Sequence, residues 1–321
     1  MTAINIRLGA VLLGCLAWSG VYASTFTVLH QFDPAEAQGS VDLVAPPNQF
    51  PISPIGPFLL ASASSGGIAV NGGSGTLMTL YPDAISPSTL NPVNVDYNFA
   101  STPLAPQAPA QPVFESGVRY GATQVGNTKC GAKGGICGSI FTFNDQTGAF
   151  NTLHDFTGGA AGVAASALQG DGKGSLVGVS SHGGILNRQA CLQANAPAAQ
   201  VGCGFVFRLT PGSPLQVLHY FTGGSAGSHP FALVQRSDGT LIGGALDGAG
   251  GDQILFSLTP SGAYRVLAIL RSTTTCAPDI GSVLIADTTN HVFFTENRCG
   301  SHQTGTAVIM LPATGASHIV S

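Results

Sequence analysis

One phrase recurs along this chain and constrains its fold more than any other feature. Gly138-Ser-Ile-Phe-Thr-Phe143 is followed by Leu153-His-Asp-Phe-Thr-Gly-Gly159, and Gly204-Phe-Val-Phe-Arg-Leu209 is followed by Leu218-His-Tyr-Phe-Thr-Gly-Gly224. A recurring element pattern marks a repeat architecture, in which no unit buries its own apolar face and neighbours must stack.

The unit is clearest between residues 230 and 270. Pro230 to Arg236 alternates and runs into Ser237-Asp-Gly239, a hairpin signal; Thr240 to Ala245 follows as a second strand. Asp252 to Leu258 is the third, ended by the turn residues Thr259-Pro-Ser-Gly262, and Tyr264 to Leu270 is the fourth. Four short antiparallel strands repeated radially predict an all-β fold, a β-propeller of about five four-stranded blades. The third strands centre on Met78, Phe141, Phe207, Phe256 and Ile309. Phe26 to Phe32 matches a fourth strand without partners before it. It is expected to join the last blade and close the ring, since an open ring would expose sheet edges.

The chain reads as a signal peptide over residues 1–23 followed by one propeller domain over 24–321. Arg7 precedes an uncharged apolar run from Leu8 to Val21, and Val21-Tyr-Ala23 suits cleavage before Ser24. Leu12-Leu-Gly-Cys15 offers a lipoprotein alternative, with Cys15 as the anchored terminus. No segment is long enough for a confident membrane span. The expected location is secreted, periplasmic or at the cell surface. Pro-rich segments at 45–57 and 82–112 are expected as surface excursions, because proline is barred from central ladders.

Beyond the signal segment six cysteines remain, in local pairs that each fall inside one unit. Disulfides Cys130–Cys137, Cys191–Cys203 and Cys276–Cys299 are expected, with zinc as the rival that lacks Cys-x2-Cys spacing. Charged residues form only 8% of the chain, against a usual ~25%, and the net charge is −4, which gives no basic footprint for nucleic acid.

The order Leu-His-x-Phe-Thr-Gly-Gly, an apolar strand, Asp-Gly-x-Leu and then Gly-x-Val-Phe-x-Leu-Thr-Pro resembles the GloVer tandem repeat of bacterial secreted and surface proteins. The likeness covers roughly residues 113–271. It implies a propeller-like extracellular scaffold and transfers no catalytic residue. Ala160-Ala-Gly162 and Ser225-Ala-Gly227 stand where that repeat has an acidic residue.

Each chemical candidate has a bland counterpart. Gly223-Gly-Ser-Ala-Gly227 satisfies the nucleophile-elbow pattern, but between two strands rather than on a strand-to-helix turn. His30, His154 and His219 share one position in the fourth strand, which is repeat grammar; an inward ring of imidazoles holding a transition metal is the sharper alternative. Asp171-Gly172 and Asp238-Gly239 read as hairpin turns. Asp247 and Asp252 are weak candidates for a hard cation, and Glu296 is a catalytic candidate without a partner. No cofactor is expected.

Binding is expected on the Cys-bracketed loops 127–137 and 182–203, which leave the same propeller face, through Lys129, Lys133, His182, Arg188 and His229. The leading expectation is an exported non-enzymatic binding or scaffold module whose partner is a glycan or a cell-envelope protein. The alternative is an extracellular hydrolase or lyase acting on polysaccharide or ester substrates at the central channel.

Overall fold

Among the described residues, twenty strands divide into five four-stranded sheets, each an antiparallel meander in chain order. The computed structural model describes residues 37–44, 59–65, 74–81, 93–100, 107–126, 137–186, 191, 202–246, 252–271, 280, 284–287, 289–296, 306–310 and 317–320. Blade 1 comprises β1 (Gln38–Val44), β2 (Leu59–Ser65), β3 (Thr76–Leu80) and β4 (Val93–Asn98). Blade 2 comprises β5 (Gln107–Glu115), β6 (Val118–Val125), β7 (Ser139–Phe143) and β8 (Phe150–Asp155). Blade 3 comprises β9 (Ala167–Gly170), β10 (Leu176–Ser180), β11 (Phe205–Leu209) and β12 (Gln216–Tyr220). Blade 4 comprises β13 (Ser228–Gln235), β14 (Leu241–Leu246), β15 (Gln253–Leu258) and β16 (Tyr264–Leu270). Blade 5 comprises β17 (Ile285–Ala286), β18 (Val292–Glu296), β19 (Thr306–Met310) and β20 (Ser317–Val320).

The first strands of successive blades touch, β1 on β5, β5 on β9, β9 on β13 and β13 on β17. First strands therefore form the inner edge and fourth strands the outer one, which is the plan of a β-propeller. All five predicted third-strand centres lie on third strands. The ring-closing segment 26–32, the signal segment 1–23 and the excursion 45–57 lie outside the described residues.

Residues 82–112 depart from the surface-excursion expectation, because β4 and the first part of β5 fall within them. The prolines are accommodated by position. Pro109 and Pro112 lie on β5, an inner-edge strand, and the register of β5 against β6 shifts between Ala110 and Val113. A bulged edge strand is where a ladder can spare an N–H donor.

Period-2 alternation assembles the core. In blade 3, Leu176, Phe205, Phe207 and Leu209 face blade 2 and pack with Tyr120, Ile140 and Phe156. Their neighbours Val177, Val179 and Val206 face blade 4 and pack with Leu241, Ile254 and Phe256. Both faces of the central strands are buried, so they read as continuous apolar runs rather than as polar–apolar alternation. The same stacking joins blade 1 to blade 2 through Leu77, Phe99, Phe141 and Phe143, and blade 4 to blade 5 through Ile242, Leu255, Val292 and Phe294.

One cross-strand pair repeats inside this core. Gly121 faces Phe141, Gly178 faces Phe207 and Gly243 faces Phe256 in register. A Cβ on these glycines would lie 2.5, 2.4 and 2.3 Å from the ring tip, so each ring lies over bare backbone. Blade 1 has Ala61 opposite Met78, which is where the repeat is least recognisable in sequence.

The hairpin end carries polar links between blades. Glu115 Oε1 and Oε2 accept the amides of Gly174 (2.8 Å) and Gly172 (3.2 Å) in the next blade's first hairpin. Asn290 Oδ1 accepts the Ser237 amide (3.0 Å) and hydroxyl (2.8 Å) from the blade before it. Arg119, 1% exposed, reaches from β6 into blade 1. It donates to Asp96 (2.6 Å), Asp145 (2.9 Å), the Met78 carbonyl (2.6 Å) and the Ala61 carbonyl (3.2 Å). Asp171-Gly172 and Asp238-Gly239 are hairpin turns as read: Gly172 and Gly239 have φ of 70° and 83°, and each aspartate accepts backbone amides.

Candidate active site between blades 3 and 4

In an up-and-down blade, the loop between second and third strands leaves the same end as the connection to the next blade. His182 is the second residue of the β10–β11 loop of blade 3. His229 is the second residue of β13, just after the connection into blade 4. The two rings meet edge to face with centroids 5.5 Å apart. Both were read from sequence as separate loop residues, and the fold makes them a pair.

The backbone around them explains the meeting. The His229 amide donates to the Cys203 carbonyl (2.8 Å), and the Gly204 amide donates to the Gly183 carbonyl (3.1 Å). The segment Gly202–Gly204 thus lies against both histidine-bearing stretches. A Cβ on Gly204, at φ 86°, would lie 2.5 Å from Pro230 Cδ and from the Ser180 carbonyl, so only glycine permits this approach. The Cys191–Cys203 disulfide closes the loop at this point, as expected from sequence. Cys137 is also disulfide-bonded, with its partner outside the described residues.

His229 combines several unusual properties. It is 8% exposed. Its φ is 48°, a left-handed conformation that is strained for a non-glycine residue and more so before a proline. Strain of this kind costs about 1–3 kcal/mol and clusters at functional sites. Its Nδ1 lies 3.0 Å from Ser228 Oγ, whose own proton is directed at the Leu246 carbonyl (3.3 Å). That arrangement assigns the proton to Nδ1 and the lone pair to Nε2. Nε2 is buried and has no hydrogen-bond partner among the described residues.

His182 is half-buried, with Nδ1 2.8 Å from Ser181 Oγ. Burial lowers the pKa of both rings from the usual value near 6.5, and for His229 the neighbouring His182 lowers it further. Neutral imidazoles therefore prevail at pH 7.

The repeat histidines do not form an inward metal-holding ring. His154 and His219 lie on the outer strands β8 and β12, where each ring meets a phenylalanine edge, Phe156 at 4.9 Å and Phe221 at 5.2 Å. His219 also stacks on Tyr264 of blade 4, with centroids 4.0 Å apart and planes 5° apart. His219 thus packs between blades 3 and 4, and His154 packs against Phe156 two residues on; His30 lies outside the described residues.

Ser225 of the elbow-like motif is exposed on a single 3-10 turn between two strands, and no helix follows it. Glu296 ends β18 of blade 5, and Asp252 immediately precedes β15 of blade 4, both on the loop-bearing face. Lys129, Lys133, Arg188, Asp247, Cys130, Cys276 and Cys299 lie outside the described residues. Among the described residues no three His, Cys, Asp or Glu side chains gather as a metal site, and no helix is long and apolar enough to cross a membrane.

A signal for the pair existed in the sequence. Aligning Gly158 to Gln169 with Gly223 to Val234 places His229 where unit three has Ala164, so His229 departs from repeat grammar and His219 obeys it.

The chain matches no family profile and no curated protein sequence. Solved structures similar to it include an oligogalacturonate lyase in complex with manganese, at 13% identity over 84% of this chain, with a TM-score of 0.49. An oligogalacturonate lyase from Vibrio parahaemolyticus is similar at 10% identity over 88% of the chain, TM-score 0.48. A gluconolactonase from Xanthomonas campestris is similar at 15% identity over 77% of this chain and 69% of its own length, TM-score 0.46. This chain spans 63% and 66% of the length of the two lyases.

Proposed function

We propose that this protein is an enzymatic propeller, a hydrolase or lyase of polysaccharide or ester substrates, with His229 Nε2 as its general base. The observation that carries the reading is a buried, neutral imidazole whose unprotonated nitrogen has no hydrogen-bond partner among the described residues, held in a strained backbone at the loop-bearing face. A single base suits reactions that begin with one proton abstraction. In ester hydrolysis, Nε2 takes a proton from water as the water oxygen bonds to the carbonyl carbon, and the imidazolium returns that proton to the alkoxide oxygen as its C–O bond breaks. In elimination, it takes the proton beside a carboxyl group, the C=C bond forms as the glycosidic C–O bond breaks, and the departing sugar oxygen takes its proton from water. His182 faces the same ring and adds to burial in keeping His229 in its neutral, proton-accepting form. This reading favours the enzymatic alternative over the non-enzymatic binding module.

The test is turnover by purified, oxidised protein on native and acetylated polysaccharides, following acetate release and the ultraviolet absorbance of unsaturated products. His229→Gln keeps a polar side chain and removes the base; it is expected to lower turnover by about 10²–10⁴-fold. Retention on polysaccharide without any product would return the protein to the binding-module reading.

The pH dependence has a definite sign. A base with a lowered pKa is active in its neutral form, so kcat/KM should be flat above the usual imidazole value of 6.5 and fall only as pH drops below it. The same residues make folding weaken over that acid range, because the unfolded chain takes up protons first. A profile whose acid limb is unchanged in His229→Gln would remove His229 from the chemistry.

A further inference from the structure

Departures from the repeat that bring in chemistry mark more than the histidine pair. In blade 2 the first residue of the third strand and the last of the fourth are Ser139 and Asp155, a register pair linked by a 2.6 Å hydrogen bond from Ser139 Oγ. In blade 3 the equivalent register pair is Phe205 and Tyr220. A polar pair has been exchanged for an aromatic one at a single blade.

Phe205 is buried in the core, whereas Tyr220 is 48% exposed and is one of three exposed large hydrophobic residues among those described. The Tyr220 ring is backed by main chain, since a Cβ on Gly184 would lie 2.9 Å from its Cδ1. Phe205 steadies it with an edge contact at 6.3 Å. Gly184 lies two residues beyond His182 on the same loop, so the ring belongs to the face that carries the histidines. The result is a fixed, solvent-facing aromatic surface with a phenolic hydroxyl at its tip, backed by glycine backbone.

We infer that Tyr220 is a stacking platform for an uncharged pyranose ring, an outlying saccharide subsite of the His182–His229 site. The inference rests on the reading that this face handles polysaccharide. The C–H groups on one face of a pyranose are complementary to the electron-rich face of an aromatic ring, and a Tyr platform costs little side-chain entropy.

The experiment measures retention of β-1,4-linked gluco-, xylo- and manno-oligosaccharides, from dimer to hexamer, by His229→Gln protein, with and without a change at Tyr220. Binding alone is read, so turnover is not required. Tyr220→Ala is expected to weaken binding of the longer oligomers about tenfold and to leave the dimer unchanged, while Tyr220→Phe stays near the parent. Equal binding by the Tyr220→Ala protein at every length would overturn the platform and leave the role of His229 standing. Failure of the parent to bind any neutral oligosaccharide would also overturn it; ester turnover by the wild-type protein would then still support the histidine site. Loss of binding in both the Ala and Phe variants would assign the contact to the phenolic hydroxyl instead of the ring face.

Discussion

Arg119→Ala is expected to destabilise the protein by about 3–5 kcal/mol, the range for removing one member of a buried ion pair. Four acceptors converge on this guanidinium, and two are blade 1 carbonyls that would lose their donor. The Asp96 contact dominates. Asp96 has 11% of its side chain exposed, whereas Asp145 has 43%, and a pair that open to water contributes about 0–1 kcal/mol. Arg119 therefore joins blade 2 to blade 1 at the least repeat-like unit, where Ala61 and Met78 replace the Gly–Phe pair. Denaturant unfolding provides the measurement. Arg119→Met with Asp96→Asn removes both charges while keeping volume and should recover part of the loss. An Arg119→Ala cost below about 1 kcal/mol would show that the charged cluster does not hold these blades together.

Phe207→Ala should cost a similar amount, about 3–5 kcal/mol, because it deletes a fully buried ring from the blade 2–blade 3 core. The same contact can be broken from the other side. Gly178→Val drives a branched side chain into the space filled by the Phe207 ring and should cost about 1–3 kcal/mol or more. Gly178 has no positive φ to preserve, so this effect is steric rather than conformational. Combining Gly178→Ala with Phe207→Leu should cost less than the sum of the two single changes, since each relieves the defect made by the other. Simple additivity would disprove the pairing.

Much of this molecule is local and was legible as such. Alternating apolar residues, Asp-Gly turns and the Thr-Pro-Ser-Gly turn placed β16 at its observed limits and located every third strand. The Cys191–Cys203 bridge followed from spacing inside one unit. Proline misled in one place. The composition of 82–112 suggested loop, yet β4 and β5 occupy part of it, because an inner-edge strand with a shifted register tolerates Pro109 and Pro112. Whether a strand is central or at an edge depends on its sheet, and local composition does not record it.

The functional residues divide along the same line. Repetition in the sequence determined the blade, its hairpins and the shared ring contacts of His154 with Phe156 and His219 with Phe221, since each depends on neighbours a few residues away. Only the tertiary structure brought His182 to His229 across a blade boundary and gave Arg119 its partners in blade 1. It also decided that His229 Nε2 would be buried without a hydrogen-bond donor among the described residues. Those contacts are set by how one blade stacks against the next, and the period-2 pattern that builds each blade carries no record of which side chains the stacking will bring together.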